Sequence, residues 1–302
     1  MYSIGADIGG SHISTSLFEH SNKLLVNESF VFRKVNRLAS KEEILSNWVD
    51  AILLTKKSIS EDVKGIGLAM PGPFDYYNGI SLIQGVDKFE SLYKVNIRNE
   101  LAQRLSFDPA SIRFINDASA FTIAECLIGK AAKFSRCVGI TLGTGLGSSF
   151  INRGMPILKS EDVPAGGFLY DKIYDGTQAD DIFSSRGLIK SFYERSGISC
   201  ESVLQVSSRV DSDLHARETF LHFGHELGKF LRPHLQKFNA EVLVLGGNIC
   251  RAFHLFQQPL QQELSKFQLY VSNYGEKAAM IGAARLLNDN YYAQIEDSLK
   301  DM

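Results

Sequence analysis

Cysteine is scarce in this chain: four in 302 residues, Cys126, Cys137, Cys200 and Cys250, with no two close together. No CxxC pair exists, so neither a zinc knuckle nor a dithiol redox motif is supported, and unpaired thiols in a reducing compartment are the plain reading. No apolar run approaches the ~20 residues of a membrane span. No basic segment followed by an apolar one opens the chain, so no signal peptide is expected and the cytoplasm is the expected location. The formal net charge is −2 and no basic block stands out, which argues against nucleic acid as a partner. Neither a Walker A sequence nor the protein-kinase glycine-loop set is present, which argues against those phosphoryl-transfer folds.

What is present is ordinary in amount. Hydrophobic residues make up 44% and charged residues 22%, as in a soluble globular protein of one large or two medium domains. The informative stretch comes almost first. "GADIGGSHIS", residues 5–14, places Asp7 after an apolar run, then Gly9, Gly10 and Ser11, before a second strand from Ile13 to Phe18. Glycines tolerate positive φ and let a ligand approach the backbone, and a turn with exposed N–H groups is an anion site. The same residues also make an ordinary hairpin turn.

A shift of 134 residues lays this opening over "GITLGTGLGSSF", residues 139–150: Gly5 falls on Gly139, Gly9 on Gly143 and Ser14 on Ser148, with Asp7 on Thr141 and Gly10 on Thr144. The spacing is about half the chain, as expected of two related domains that each carry a glycine hairpin. Between and beyond the hairpins, elements alternate. Strands are expected at 24–33, 63–70, 111–117 and 241–247. Ser40 and Glu43 have capping-box spacing ahead of a helix whose face is Ile44, Trp48 and Ile52. Further helices are expected after Asp117, through Ala124 and Leu127 and stopping at Gly129, from about Ser212 to Phe238 and from Glu276 to Leu287. This alternation indicates an α/β architecture. No low-complexity linker divides the halves, so they are expected to pack along a shared cleft.

Sites in α/β folds form at the ends of buried strands. Four such ends carry polar or glycine residues: Asp7 with Gly9-Gly10, Gly143-Thr144-Gly145, Gly246-Gly247-Asn248, and Asn116-Asp117. Two hairpins suit a polyphosphate held by backbone N–H groups, and Gly246-Gly247 suits a nucleoside lying on bare backbone. Asp117 can accept a proton from a substrate hydroxyl, as phosphoryl transfer requires. Asp7 can hold magnesium through water. Each also has a structural reading: an Asp after a strand is often a helix N-cap, and Asn116 and Asn248 suit turns.

In order along the chain, "DIGGSHIS", "GIGLAMPGPFDYYNGIS", "FINDASAFTIAE", "GITLGTGLGSSFINRG", "VLVLGG" and "YGEKAAMIGAA" resemble the ROK family of bacterial sugar kinases, glucokinase-like and N-acetylhexosamine kinase-like, and sugar-responsive repressors. The resemblance covers nearly the whole chain. It implies the actin-like ATPase fold, two similar RNase H-like domains flanking a cleft. The first would span residues 1–115 and be completed by a C-terminal helix over about 288–302; the second would span 116–287. The implied activity is ATP-dependent phosphorylation of a hydroxyl of a hexose or related sugar. The implied roles follow. Asp117 is the general base. Asp7, Gly9, Gly10, Ser11, Gly143, Thr144 and Gly145 line the phosphates. Gly246 and Gly247 lie near the adenosine. Pro71, Gly72, Asn78, Gly79, Asn116 and Asp117 shape the sugar side. ATP and Mg²⁺ are the implied cofactors, sugar and ATP the partners, and a homodimer the implied assembly.

The chain departs from the family pattern in one region. Where the family carries Glu-x-Gly-His, this sequence reads "AGGFLYDK", with Gly167 at the Glu position and Tyr170 at the His position. The family's cysteine-rich zinc loop is replaced by the cysteine-free "IYDGTQADD", residues 173–181, so no structural zinc is expected. Asp180 or Asp181 stands in for a sugar-contacting Glu. Either the enzyme acts on a different sugar, since altered wall contacts alter discrimination, or it binds a sugar or nucleotide with catalysis weakened or lost; the retained Asp117 favours the active kinase. Family repressors carry a helix-turn-helix before the first hairpin, and here the hairpin begins at residue 2, so DNA binding is not expected. His215, His222 and His225 share one predicted helix without a metal-binding pattern, and His12 reads as a strand residue.

Overall fold

The computed structural model describes residues 1–85 and 88–302. It divides into two compact units, Met1–Ile128 with Glu276–Met302, and Gly129–Gly275.

The first unit opens with the antiparallel strands β1 (Tyr2–Ile8), β2 (His12–Glu19) and β3 (Leu24–Lys34). Helix α1 (Lys41–Lys56) follows, its first turn closed by Ser40, whose side chain accepts from the Glu43 N–H at 3.3 Å. Ile44, Trp48 and Ile52 form its fully buried face, as the spacing predicts. Strand β4 (Val63–Met70) lies parallel to β1. A short hairpin, β5 (Phe74–Asp75) and β6 (Ile80–Ser81), and helix α2 (Ile97–Leu105) lead to β7 (Ile112–Asn116), parallel to β4. Helix α3 (Asp117–Leu127) follows at once. The sheet order is β3-β2-β1-β4-β7. Strand β4 is central and buried on both faces, which is why "VKGIGLAM" reads as a near-continuous apolar run.

The second unit repeats the plan. Strands β8 (Arg136–Leu142), β9 (Leu146–Asn152) and β10 (Met155–Pro156) are antiparallel. After a small hairpin, β11 (Ile173–Tyr174) with β12 (Thr177–Gln178), come helices α4 (Ala179–Ile182), α5 (Ser185–Ser196), α6 (Val203–Ser207) and α7 (Leu214–Phe238). Asp213, not Ser212, starts α7, since its side chain accepts from the His215 and Ala216 N–H groups. Strand β13 (Val242–Gly246), helix α8 (Phe253–Glu263) and strand β14 (Gln268–Val271) complete the sheet β10-β9-β8-β13-β14. In each sheet two antiparallel pairings precede two parallel ones, and β8 spans the residues of β1 displaced by 134. Its core gathers phenylalanines, among them Phe150, Phe183, Phe220, Phe230 and Phe256.

The chain then returns to the first unit as α9 (Lys277–Arg285) and α10 (Asp289–Lys300). The unit boundaries therefore differ from the expected 115/116 and 287/288: α3 and α9 both belong with the first sheet. Close packing is the reason. A Cβ on Gly5 of β1 would collide with the Met280 carbonyl, one on Gly67 of β4 with the Ala283 carbonyl, and one on Gly282 of α9 with the Ala120 carbonyl of α3. Three glycines thus let α9 lie backbone to backbone on the sheet and on α3. Among the described residues no helix is long and apolar enough to cross a membrane.

This packing makes a direct prediction. Gly282→Ala overfills the α3–α9 contact and should lower unfolding stability by about 1–3 kcal/mol, read as a reduced urea midpoint, because neither helix backbone can yield without disturbing the sheet. Gly154→Ala, where a Cβ would meet open space, is the control for φ strain alone, since Gly154 has φ +81°.

Candidate active site

In the first unit Asp7 is the penultimate residue of β1, paired across the hairpin with Ser14 and beside Ala69 of β4. The turn Gly9-Gly10-Ser11 is closed by the Gly9 N–H donating to the His12 carbonyl at 3.0 Å. A Cβ on Gly9 would run into the His12 imidazole, which itself stacks on Phe32 at 5.0 Å. His12 is thus a strand residue that also roofs the turn.

Asp117 does not cap α3. Asn116, the last residue of β7, does so, its Oδ1 accepting from the Ser119 N–H at 3.2 Å. Asn116 Nδ2 donates to Tyr76 Oη at 3.3 Å, and Tyr76 Oη donates to the Met70 carbonyl at 3.1 Å. The asparagine expected on the sugar is therefore engaged at both ends of its amide, and it is 8% exposed. Asp117 becomes the first residue of the helix and keeps contact with solvent. Its Oδ1 accepts from the Ala118 N–H at 2.8 Å. Helix N-termini favour negative charge, yet burial outweighs this and raises the Asp117 pKa, with the Lys88 ammonium and neighbouring N–H groups opposing.

Asp7 is pushed up to about 8, first by burial, then by the Asp117 and Glu276 carboxylates, with Lys88 opposing. Lys88 is pulled down by burial and by Arg37, and held up by Asp117 and Asp7. Three acids and one lysine of the first unit thus share one electrostatic neighbourhood. Glu276 lies in the quoted "YGEKAAMIGAA" but has no role assigned by that motif, and Lys88 sits in "GVDKFE", outside every quoted stretch.

The other sugar-side candidates of this unit carry turns. Asn78 donates its backbone N–H and its Nδ2 to the two carboxylate oxygens of Asp75, each at 2.9 Å. Gly79 has φ +74° and sits against Arg98 and Phe114. Pro71 is buried and Gly72 exposed, directly after β4.

In the second unit the Gly143-Thr144-Gly145 turn is braced from within. The Gly143 N–H donates to the Gly145 carbonyl at 3.1 Å, and the Gly143 carbonyl accepts from the Ser185 N–H and Oγ, each at 2.8 Å. Asp180 Oδ1 accepts from the Leu146 N–H at 2.6 Å, and Asp180 pairs with Arg186 at 2.8 Å. A Cβ on Gly145 would stand 2.7 Å from that Asp180 oxygen. Asp180, expected on the sugar, thus spends its carboxylate on the hairpin. Tyr170 is 47% exposed, and its carbonyl accepts from the Asp180 N–H at 3.0 Å. Gly167 is buried with φ +73°, its carbonyl accepting from Ser148 Oγ at 2.8 Å. Gly247 has φ +88°, and a Cβ there would collide with Leu142 at the end of β8; this close crossing is a structural reason for the glycine beside the ligand-based one. Gly246 ends β13 and its carbonyl accepts from Cys250 Sγ at 3.0 Å. Among the described residues no group of three or more His, Cys, Asp or Glu is placed to hold a metal ion by itself.

The Asp7 environment fixes a pH dependence. A carboxyl that titrates near 8 when folded and near 3.8 when unfolded binds more protons in the native state, so stability falls as pH rises from about 4 to about 8. In chelator, without nucleotide, Asp7→Asn should therefore melt above the wild type at pH 8, by about 2–4 °C for each kcal/mol recovered, and the gain should shrink as the pH approaches 4.

The family model described as ROK family matches residues 3–159. The glucokinase of Thermotoga maritima is 22% identical over 95% of this chain and 97% of its own. A ROK family glucokinase from Streptomyces griseus, solved in complex with glucose and AMPPNP, is 20% identical with a TM-score of 0.75, covering 95% of this chain and 99% of that one. A ROK family transcriptional regulator, a homolog of an E. coli protein, superposes with a TM-score of 0.74 at 17% identity, covering 99% of this chain and 81% of that one. The repeated mixed sheets are those of the actin-like ATPase fold, and the chain belongs to the ROK family.

Proposed function

We propose that this protein is a sugar kinase that transfers the γ-phosphoryl group of ATP to a hydroxyl of a hexose or related sugar, with Asp117 as general base. The observation that carries this reading is the Asp117 carboxylate. It leads α3, is half-buried, and shares its neighbourhood with Asp7 beside a glycine turn. The glucokinase relatives support it. A regulator in the same family means that the fold does not choose between roles; a raised-pKa carboxylate at the start of α3, hydrogen-bonded by the Ala118 N–H and the Asn116 side chain, is what favours the enzyme.

The steps assigned to the chain's own residues are few. Asp117 accepts the proton of the attacking hydroxyl. Its raised pKa brings its basicity closer to that of a group working near neutrality. Gly9, Gly10 and Ser11 bring backbone N–H groups to the phosphates, and the Gly143–Gly145 turn offers N–H groups of its own. The oxygen donors of Asp7 and its neighbour Glu276 suit magnesium, a hard cation that keeps several waters and needs no all-protein cage. Magnesium, when bound with the nucleotide, neutralises charge on the phosphates. A sugar-binding role without turnover is the second reading, because Asp180, Gly167 and Asn116 are all engaged in structural contacts.

ADP release from ATP and magnesium, followed across a panel of hexoses, pentoses and amino sugars, tests the assignment. Asp117→Asn should lower kcat by about 10²–10⁴ while ATP affinity stays within a few-fold. In the wild type the acid limb of kcat/KM should lie above the ordinary aspartate range of about 3.9. A melting temperature raised by a sugar that gives no turnover would replace the kinase reading with the binding one.

A further inference from the structure

Lys88 is placed with care. The next residue, Phe89, is fully buried, stacks edge-on against Trp48 at 5.6 Å and donates its N–H to the Arg37 carbonyl at 2.9 Å. This anchor fixes where the lysine stem begins. The stem then crosses the first glycine turn: its Cε lies 3.9 Å from where a Cβ of Gly10 would stand. The Asp117 and Asp7 carboxylates both favour the charge of its ammonium, and Arg37 opposes it. Burial of an ammonium is costly, and this one is spent at the point where the sugar-side acid and the phosphate-side turn meet.

We propose that Lys88 is a catalytic residue, its ammonium touching the phosphoryl group while that group passes from ATP to the sugar. The proposal rests on the kinase reading above. In the step, the sugar hydroxyl oxygen forms a bond to the γ-phosphorus and the bond from that phosphorus to the β,γ-bridging oxygen breaks. The electron pair leaves with ADP, and the hydroxyl proton goes to Asp117. Lys88 stays protonated and forms no covalent bond. Its contribution is a fixed positive charge aimed at the equatorial oxygens, where charge is spread in the transition state. A cation that served only to pair Asp7 and Asp117 would support folding without distinguishing ground state from transition state.

The experiment uses the full chain and the sugar that turns over fastest in the panel. Lys88→Met and Lys88→Arg are compared with wild type for kcat, KM, melting temperature, and affinity for ADP with magnesium, with and without aluminium fluoride and sugar. Aluminium fluoride stands in for the phosphoryl group in flight. Lys88→Met should lose about 10²–10³ in kcat, keep ADP affinity within about threefold and lose the fluoride-dependent tightening; Lys88→Arg should restore at least a tenfold part of kcat. Turnover of Lys88→Met within about threefold of an active wild type overturns the role of Lys88 alone. So does retained fluoride-dependent tightening, whatever the change in melting temperature, since that is the mark of a structural lysine. A wild type inactive with every sugar overturns the kinase reading and this proposal with it.

Discussion

The charges of Asp7, Asp117 and Glu276, opposed by Lys88, are the constraint around which the first unit is arranged. Strand β4 lies between β1 and β7, so the two aspartates stand at strand ends two spacings apart, about 10 Å across the sheet. At that separation the carboxylates repel weakly in water and more strongly where protein replaces water. The protein does not relieve this with a salt bridge for each acid. It buries the two aspartates, lets their pKa values rise, and leaves a site that favours positive charge brought from outside.

Holding such a cluster requires a rigid frame, and glycine supplies the closeness. Gly5 and Gly67 bring the α9 backbone onto β1 and β4, while Gly282 brings it onto α3. Helix α9 begins one residue after Glu276, and α3 begins with Asp117 itself. The contacts that exclude a methyl group from these three positions are therefore the same ones that set two of the three acids relative to the sheet. Stability and site geometry meet in one set of packed backbones, which explains why α9 folds with the first unit even though the chain reaches it only after completing the second.

Much of this was legible in sequence because it depends on local or periodic signals. The Ser40 cap, the Ile44-Trp48-Ile52 face, the strand at 63–70 and the repeat at a spacing of 134 are all patterns along the chain. The acids at strand ends were legible for the same reason. Contacts between distant segments were not. That Asn116 rather than Asp117 caps α3 depends on where the extended backbone ends, which is at Asn116. That Asp180 braces the second glycine turn depends on α4 folding back onto the β8–β9 hairpin. Lys88 was silent because its meaning comes only from Gly10, Asp7 and Asp117, residues with no fixed spacing to it. The domain boundaries moved for a related reason: the partners of Gly5, Gly67 and Gly282 lie in distant segments.

The two glycine turns started as equivalent positions of one repeated plan, and the side chains around them have made them physically different. In the first, Asp7 stands at a place that Thr141 occupies in the second. The second has its carbonyl groups satisfied by Ser185 and Arg186 and its Leu146 N–H taken by Asp180, so that turn is rigid and close to neutral by its own contacts. Around the first turn stand Asp7, with its raised pKa, Asp117 and Lys88, with Arg37 acting on the lysine. A repeated backbone can give anion-binding N–H groups twice, but proton acceptance and control of phosphate charge need ionisable side chains at particular strand ends. The first copy carries acids at the ends of both β1 and β7, whereas the matching positions in the second copy are Thr141 and Ser272. The chemistry therefore follows the asymmetry of the side chains, and the symmetry of the sheets supplies the positions from which it can act.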